Sequence, residues 1–108
     1  MRKIADIRQT GSDVKRAMMY ECSEGVYVFT YASADDGPST YDDLVESIAI
    51  AEQMCADRYG IAPSQWTPIP DPLPGCQHDW IAPVRVKQDE NGKKLWGEFE
   101  PLPRTHDT

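Results

Sequence analysis

The chain has 108 residues, of which 40% are hydrophobic and 27% are charged, and its formal net charge is −7. This length and composition are typical of one globular domain that can bury a core without disulfides. The acidity argues against a general role in binding nucleic acid or an anionic membrane surface, because both depend on Lys and Arg. The three cysteines have no paired spacing, no apolar run approaches about 20 residues, and the N-terminus lacks a signal-like apolar stretch. These features predict the cytoplasm.

The charges are unevenly distributed along the chain. Between Glu21 and Asp79 there are eleven acids and a single base, Arg58, whereas most other bases lie in 1–16 and 85–94. Two interpretations stay open: a solvated acidic surface, or an acidic docking face for a basic partner.

The first third of the chain predicts a β-hairpin. Residues 1–12 are ambiguous, because Ile4 and Ile7 fit one helical turn as well as a frayed strand. Alternation begins near Val14, and Ser23, Glu24 and Gly25 form a short turn. Every residue of 26–31 is β-branched or aromatic, so this strand is apolar on both faces and is expected in the interior of its sheet.

Residues 41–59 predict one long amphipathic helix. Thr40 or Ser39 can cap its first turn, and Gly60 supplies the left-handed residue at its end. At about 100° per residue, the apolar side chains share one broad face. These are Tyr41, Leu44, Val45, Ile48, Ala51, Cys55, Ala56 and Tyr59.

The last part of the chain predicts a proline-rich ordered loop followed by a second hairpin. The loop, 61–79, carries five prolines, with Trp66 and Ile69 as apolar anchors. Strands at 80–87 and 94–100 flank an Asn-Gly turn, and we expect a frayed tail at 101–108.

The predicted fold is a single α+β domain over residues 1–108, with the order β-β-α-loop-β-β. Two antiparallel hairpins form a small sheet, and helix 41–59 packs on one face. The expected core consists of Val28, Phe29, Leu44, Val45, Ile48, Cys55, Tyr59, Trp80, Val84, Val86, Leu95 and Phe99.

The candidate interaction residues lie on or beside the predicted helix, apart from one aromatic residue of the first hairpin. They are Ile50, Met54, Asp43, Glu46 and Tyr27. Ile50 and Met54 are apolar residues one turn apart on the predicted solvent face, and acids flank them. Glu52 projects into the apolar face, which predicts a partly buried carboxylate paired with Arg58, Arg16 or a tyrosine hydroxyl.

A different class of function centres on Cys76, His78 and Asp79. Cys and His side chains bind zinc, and Asp79 can add an oxygen ligand, so the alternative is a small metal- or ligand-binding protein, with or without enzymatic activity. A structural zinc site draws on two separated ligand pairs, and no second Cys/His pair exists. Since there is also no phosphate-binding glycine loop or evident catalytic group, we expect no enzyme and no cofactor.

Two stretches, ten residues apart, resemble the strand-to-helix pattern of HicB-type antitoxins. They are Gly25-Val-Tyr-Val-Phe29 and Thr40-x-Asp-Asp-Leu-x-Glu-Ser-Ile-Ala-x-Ala51. In that family a Pro-Asp-Leu-Pro-Gly-Cys-like stretch precedes the helix, whereas here Asp71-Pro-Leu-Pro-Gly-Cys76 follows it. We therefore assign no family from this pattern.

The sequence thus predicts a non-catalytic, acidic interaction protein of accessory or inhibitor type that docks on a basic protein partner. No nucleic acid and no membrane are expected as partners. A monomer and a homodimer both stay open, because the second apolar face of 26–31 needs a cover. Segment 61–79, the first ten residues or a second copy of the chain could supply that cover.

Overall fold

The computed structural model describes residues 1–101, and the predicted tail lies almost entirely outside them. In chain order the elements are β1 (Arg2–Asp6), β2 (Arg16–Cys22), β3 (Gly25–Tyr31), β4 (Tyr41–Val45), α1 (Ile48–Tyr59), a 3-10 turn (Pro63–Gln65), β5 (Thr67–Ile69), β6 (Val84–Gln88) and β7 (Lys94–Pro101).

Five strands form the main antiparallel sheet in the order β4-β3-β2-β1-β5, and β6 and β7 form a separate two-stranded sheet. The predicted fold class is therefore wrong. The chain is mostly sheet, its helix has only 12 residues, and its two hairpins belong to different sheets.

The main sheet is apolar on both faces. Around α1, on the helix face, the buried residues are Ala5, Ile7, Ala17, Met19, Val26, Val28, Ala51, Cys55, Ile61 and Trp66. On the opposite face they are Met18, Phe29 and Tyr31. The prediction that strand 26–31 is an interior strand is confirmed, because β3 lies between β4 and β2.

The predicted core is only partly correct. Val28, Phe29, Cys55, Val84 and Val86 are buried. Val45, Ile48, Tyr59, Trp80, Leu95 and Phe99 are half-buried. Leu44 is 51% exposed, because it lies on an edge strand and not on the buried side of a helix.

The predicted helix 41–59 is wrong over its first third, where residues 41–45 form β4. Ser47 is the N-cap, and its hydroxyl accepts a hydrogen bond from the Ile50 amide at 3.2 Å. The predicted end is confirmed: Gly60 has φ 67° and its amide donates to the Ala56 carbonyl at 3.0 Å. Pairing with β4 satisfies the outer backbone groups of β3, and Asp42 and Val45 are weak helix formers that give little resistance to the strand.

The start of the chain, which is ambiguous in the sequence, forms β1. It pairs with β2 on one side and with β5 on the other. Arg2 and Lys3 interrupt the apolar alternation of this strand, so the sequence carries no clear strand signal there. The structure accommodates both bases: Arg2 is 2% exposed, and Lys3 forms an ion pair with Glu52.

Segment 61–79 contains the 3-10 turn and β5 before the chain turns onto the opposite face of the main sheet. We call residues 70–83 the crossing segment. The Arg2 guanidinium donates hydrogen bonds to the carbonyl oxygens of Pro70 at 2.7 Å, His78 at 3.0 Å and Trp80 at 2.6 Å. The Tyr31 hydroxyl donates to the Asp79 carbonyl, and burial raises the pKa of Tyr31 well above its ordinary value.

The crossing segment is also attached to the loop before β4. The carboxylate of Asp36 accepts hydrogen bonds from the amides of Ile81 and Ala82 at 2.8 and 2.9 Å. The Asp79 carboxylate accepts from the amide and hydroxyl of Ser39 at 2.8 and 3.0 Å. The crossing segment therefore covers part of the apolar face that α1 cannot reach.

Candidate interaction surface

β4 is an open edge of the main sheet. Four of its five residues are exposed, and β3 is its only neighbouring strand. Among residues 1–101, no backbone hydrogen bond joins 41–45 to any segment other than β3. The outer donors and acceptors of this strand are thus available to a further strand.

The other edge of the main sheet is blocked. β5 has only three residues, and Pro68 is one of them. Proline has no amide hydrogen, and Pro70 follows directly after the strand, so this edge offers few donors. Strand addition to the main sheet is therefore favoured at β4.

The open edge is acidic and carries apolar side chains. Asp42 and Asp43 are exposed neighbours, so their side chains point to opposite faces of the sheet, and the exposed Glu46 follows the strand. Tyr41 is 64% exposed and Leu44 is 51% exposed.

The Ile50 and Met54 pair adjoins this edge on the helix face. The two side chains line one shallow hollow, together with Gln53, Asp57 and Arg58. Ile50 is 47% exposed, as expected for the solvent face, whereas the same prediction is wrong for Met54, which is half-buried and packs against the core. Arg58 connects the hollow to β4, because its Nη1 donates to Asp43 Oδ2 at 3.4 Å. Three of the predicted interaction residues, Ile50, Met54 and Asp43, therefore belong to one continuous surface.

Tyr27 lies on the opposite face, away from the hollow. Its ring stacks on Phe29 with the centroids 5.8 Å apart, and its hydroxyl donates to Glu24 Oε2 at 2.9 Å. That hydrogen bond raises the pKa of Tyr27. Because Tyr27 is the cross-strand partner of Leu44, it flanks β4 on the second face.

Glu52 is half-buried on α1, but its partner differs from the three that the sequence suggested. It accepts a hydrogen bond from Lys3 Nζ, and this nitrogen also lies 5.6 Å from the centroid of the Trp66 ring. The ion pair connects α1 to β1 and explains how a carboxylate is accommodated near the helix face of the core.

The three residues of the metal alternative do not converge. Cys76 is buried, the exposed His78 packs its ring 4.9 Å from that of Tyr20, and the Asp79 carboxylate binds Ser39. Within residues 1–101, no three His, Cys, Asp or Glu side chains form a group that could hold a metal ion. The geometry therefore gives no support to the zinc hypothesis.

The open edge itself was missed in the sequence because residues 41–45 were assigned to the helix. One signal is present in the sequence. Asp42 and Asp43 are weak helix formers, and Ser47 is a better N-cap that would start the helix after residues 41–45.

No α-helix in the described part of the chain has both the length and the apolar character needed to cross a membrane. Comparisons with protein-family models, curated proteins and solved structures give no match.

Proposed function

We propose that this chain is a non-catalytic interaction module, of accessory or inhibitor type, that binds a basic extended segment of a partner protein along β4. The observation that carries the proposal is the open, five-residue edge strand with acids on both faces. Main-chain hydrogen bonds supply affinity in strand addition, and alternate side chains supply specificity.

The charge of the edge favours a basic partner strand. A Lys or Arg opposite Asp42 or Asp43 gains about 0.2–1 kcal/mol as a cross-strand pair, whereas an acidic residue there is repelled. Such pairs are exposed, so they affect the association rate and its salt dependence more than the final affinity.

Apolar side chains flank the edge on both faces. Tyr41 and Leu44 are exposed on β4 itself, and Ile50 lies beyond Arg58 on the helix face. A partner strand that alternates basic and apolar residues could contact both the acids and the apolar side chains of the edge.

We place the module in the cytoplasm, and the three free cysteines support a reducing compartment.

The direct test is an NMR titration with a capped peptide of about seven residues that alternates Lys with Val or Thr, a length that matches an ordinary strand. We expect the outward-facing amides of 41–45, which alternate along the strand, to become protected from hydrogen exchange on binding. A matched peptide with Glu in place of Lys should bind more weakly by about tenfold or more. Binding of the Lys peptide should weaken as salt rises.

Two variants distinguish strand addition from general attraction of a basic peptide to an acidic protein. The double substitution Asp42→Lys/Asp43→Lys should abolish binding of the Lys peptide. The control, Asp13→Lys/Glu98→Lys, makes the same change in net charge at two exposed positions away from β4. Equal loss in both variants, or protection that avoids 41–45, would refute the proposal.

A further inference from the structure

A cavity of about 260 Å³ lies within the crossing segment, directly over Arg2. Its walls are mainly apolar and include Pro70, Pro72, Leu73, Trp80 and Ile81. This is close to the lower limit of the volumes that small-molecule sites occupy, and an apolar wall with a few convergent polar groups is typical of such sites.

The guanidinium of Arg2 is a buried cation without a carboxylate partner. It is 2% exposed, and none of the ion pairs among residues 1–101 includes it. Its Nε and Nη1 donate to three carbonyl oxygens at 2.6–3.0 Å, but the contact of Nη2 is a single carbonyl, that of Ile81, at 3.5 Å. Nη2 therefore keeps capacity for a stronger acceptor.

Trp80 lines the same cavity. Its ring nitrogen, Nε1, is buried and has no hydrogen-bond partner in the described structure. A buried donor without an acceptor costs about 1–3 kcal/mol. Trp80 thus supplies aromatic surface to the cavity, while Arg2 supplies its polar group.

We propose that this cavity binds a small carboxylate with an apolar body, such as an aryl- or alkyl-substituted acetic or propionic acid. The carboxylate pairs with Arg2 Nη2, and the apolar body packs among the prolines, Leu73 and Trp80. An ionised oxygen forms shorter and stronger hydrogen bonds with a guanidinium than a neutral carbonyl does. The acid also neutralises a charge that is otherwise buried without an anion.

The neighbouring charges permit an anion at this position. Asp71 is the one acid that lines the cavity, and its carboxylate already forms an ion pair with the amino group of Met1 at 2.8 Å. Asp36 also acts on Arg2, but its carboxylate binds the amides of Ile81 and Ala82, and neither acid forms an ion pair with the guanidinium. Burial lowers the pKa of Arg2, but a guanidinium stays a cation near neutral pH.

The test compares 3-phenylpropionate with its neutral amide, 3-phenylpropionamide, by calorimetry and by NMR on the full chain. We expect the acid to bind with a Kd of about 0.1–1 mM, and the amide to bind at least about tenfold more weakly. Shifts should appear at the side-chain N–H groups of Arg2 and Trp80. Alkylation of Cys76, which also lines the cavity and is 6% exposed, should slow when the acid is bound.

A carboxylate can also come from the C-terminus of a protein chain. A short peptide that ends in a free Leu carboxylate, compared with its C-terminal amide, tests this source. Tighter binding of that peptide than of 3-phenylpropionate would assign the site to a chain terminus, and the reverse would assign it to a free acid.

A variant that fills the cavity provides the structural control. Ala82 is exposed and lines the cavity, so Ala82→Phe should block the acid while leaving the free energy of unfolding nearly unchanged. Equal affinities for acid and amide, absence of binding by the acid, or undiminished binding in Ala82→Phe would each overturn the proposal.

Discussion

At the scale of single residues, Arg2 joins β1 to the crossing segment. Its guanidinium reaches carbonyl oxygens at 70, 78, 80 and 81, which are nearly seventy or more positions away in sequence. A guanidinium carries five donors in a rigid fork, so one side chain can satisfy several carbonyls that an irregular, proline-rich backbone leaves without amide partners. Side-chain hydrogen bonds from Arg2 therefore hold the crossing segment on the main sheet, where a regular strand would be held by backbone hydrogen bonds.

Replacing Arg2 by Met tests this role. Arg2→Met keeps much of the side-chain volume but leaves the carbonyls of Pro70, His78 and Trp80 without their donor, at about 1–3 kcal/mol for each that stays buried and unpaired. Removal of the buried charge offsets part of this cost. We expect the free energy of unfolding to fall by about 2–4 kcal/mol in a urea titration.

The control is Arg8→Met, which changes the same residue type at an exposed position just after β1. Its effect should stay within about 0.5 kcal/mol, as is usual for surface substitutions. If Arg2→Met were equally mild, the crossing segment would have to be fixed by other contacts, such as those of Asp36 and Asp79.

At the scale of elements, the sequence identified the features that depend on local chemistry. The hairpin at β2 and β3, the two faces of 26–31 and the end of α1 at Gly60 follow from alternation, turn residues and a left-handed cap. β4 could not be found in this way, because residues 41–45 also fit a helical projection. Only the unpaired outer edge of β3, a long-range requirement, selects the strand.

The same limit explains why the sequence identified the candidate surface only in part. Asp43 and Ile50 follow from charge and polarity, which are local properties, whereas Met54, expected on the solvent face, is half-buried against the core. The cavity at Arg2 was not predicted, because it depends on where residues 70–83 lie relative to β1. No periodic pattern in a proline-rich segment encodes that position.

A substitution at Gly25 tests whether β4 pairs with β3 as the structure shows. Gly25 has φ +133°, and a Cβ atom there would lie 2.6 Å from the carbonyl oxygen of Val45. Gly25→Ala therefore combines backbone strain with a clash against the end of β4, and we expect a loss of more than about 3 kcal/mol in the free energy of unfolding.

Gly11→Ala separates the two effects. Gly11 also has a positive φ, +82°, but nothing lies within 4 Å of its added Cβ, so the expected loss is about 1–2 kcal/mol from strain alone. Urea titrations of both variants measure the difference. Similar losses in the two variants would mean that β4 does not lie against Gly25. That result would be expected if residues 41–45 were helical.

At the scale of the whole molecule, the chain is elongated. Its principal extents are 46 × 29 × 25 Å, and its radius of gyration is 15.1 Å, against about 13 Å for a compact chain of this size. β6 and β7 form the separate two-stranded sheet, which contacts the crossing segment through Phe99 and Trp80, with ring centroids 5.3 Å apart. Trp96 on β7 is 74% exposed. The two-stranded sheet of β6 and β7 therefore contributes mainly exposed surface and little buried core.

Two features limit self-association of the whole molecule, one on the face of the main sheet opposite α1 and one at the open edge. The crossing segment covers part of the face opposite α1, so a second copy is not needed there, and Tyr27→Lys should leave the sedimentation coefficient unchanged. At the open edge, two copies of β4 related by a two-fold axis would bring acids of the pair Asp42 and Asp43 close to those of the other copy. Like charges directly opposite each other in a ladder are destabilising. We therefore expect a monomer at tens of micromolar in low salt.

Neutralising these acids should reverse that behaviour. Asp42→Asn/Asp43→Asn removes the repulsion while keeping side-chain size, so the open edge should pair with a second copy and sedimentation should show a dimer or larger species. About 1 M salt should promote the same association of the unmodified chain, because the Debye length then falls to about 3 Å. Asp13→Asn/Asp35→Asn makes an equal change in net charge at exposed positions off the edge and should remain monomeric. Two outcomes would contradict this explanation: dimerisation of the unmodified chain in low salt, or equal association of both double variants. Either result would mean that repulsion between the acids of β4 does not prevent pairing at this edge.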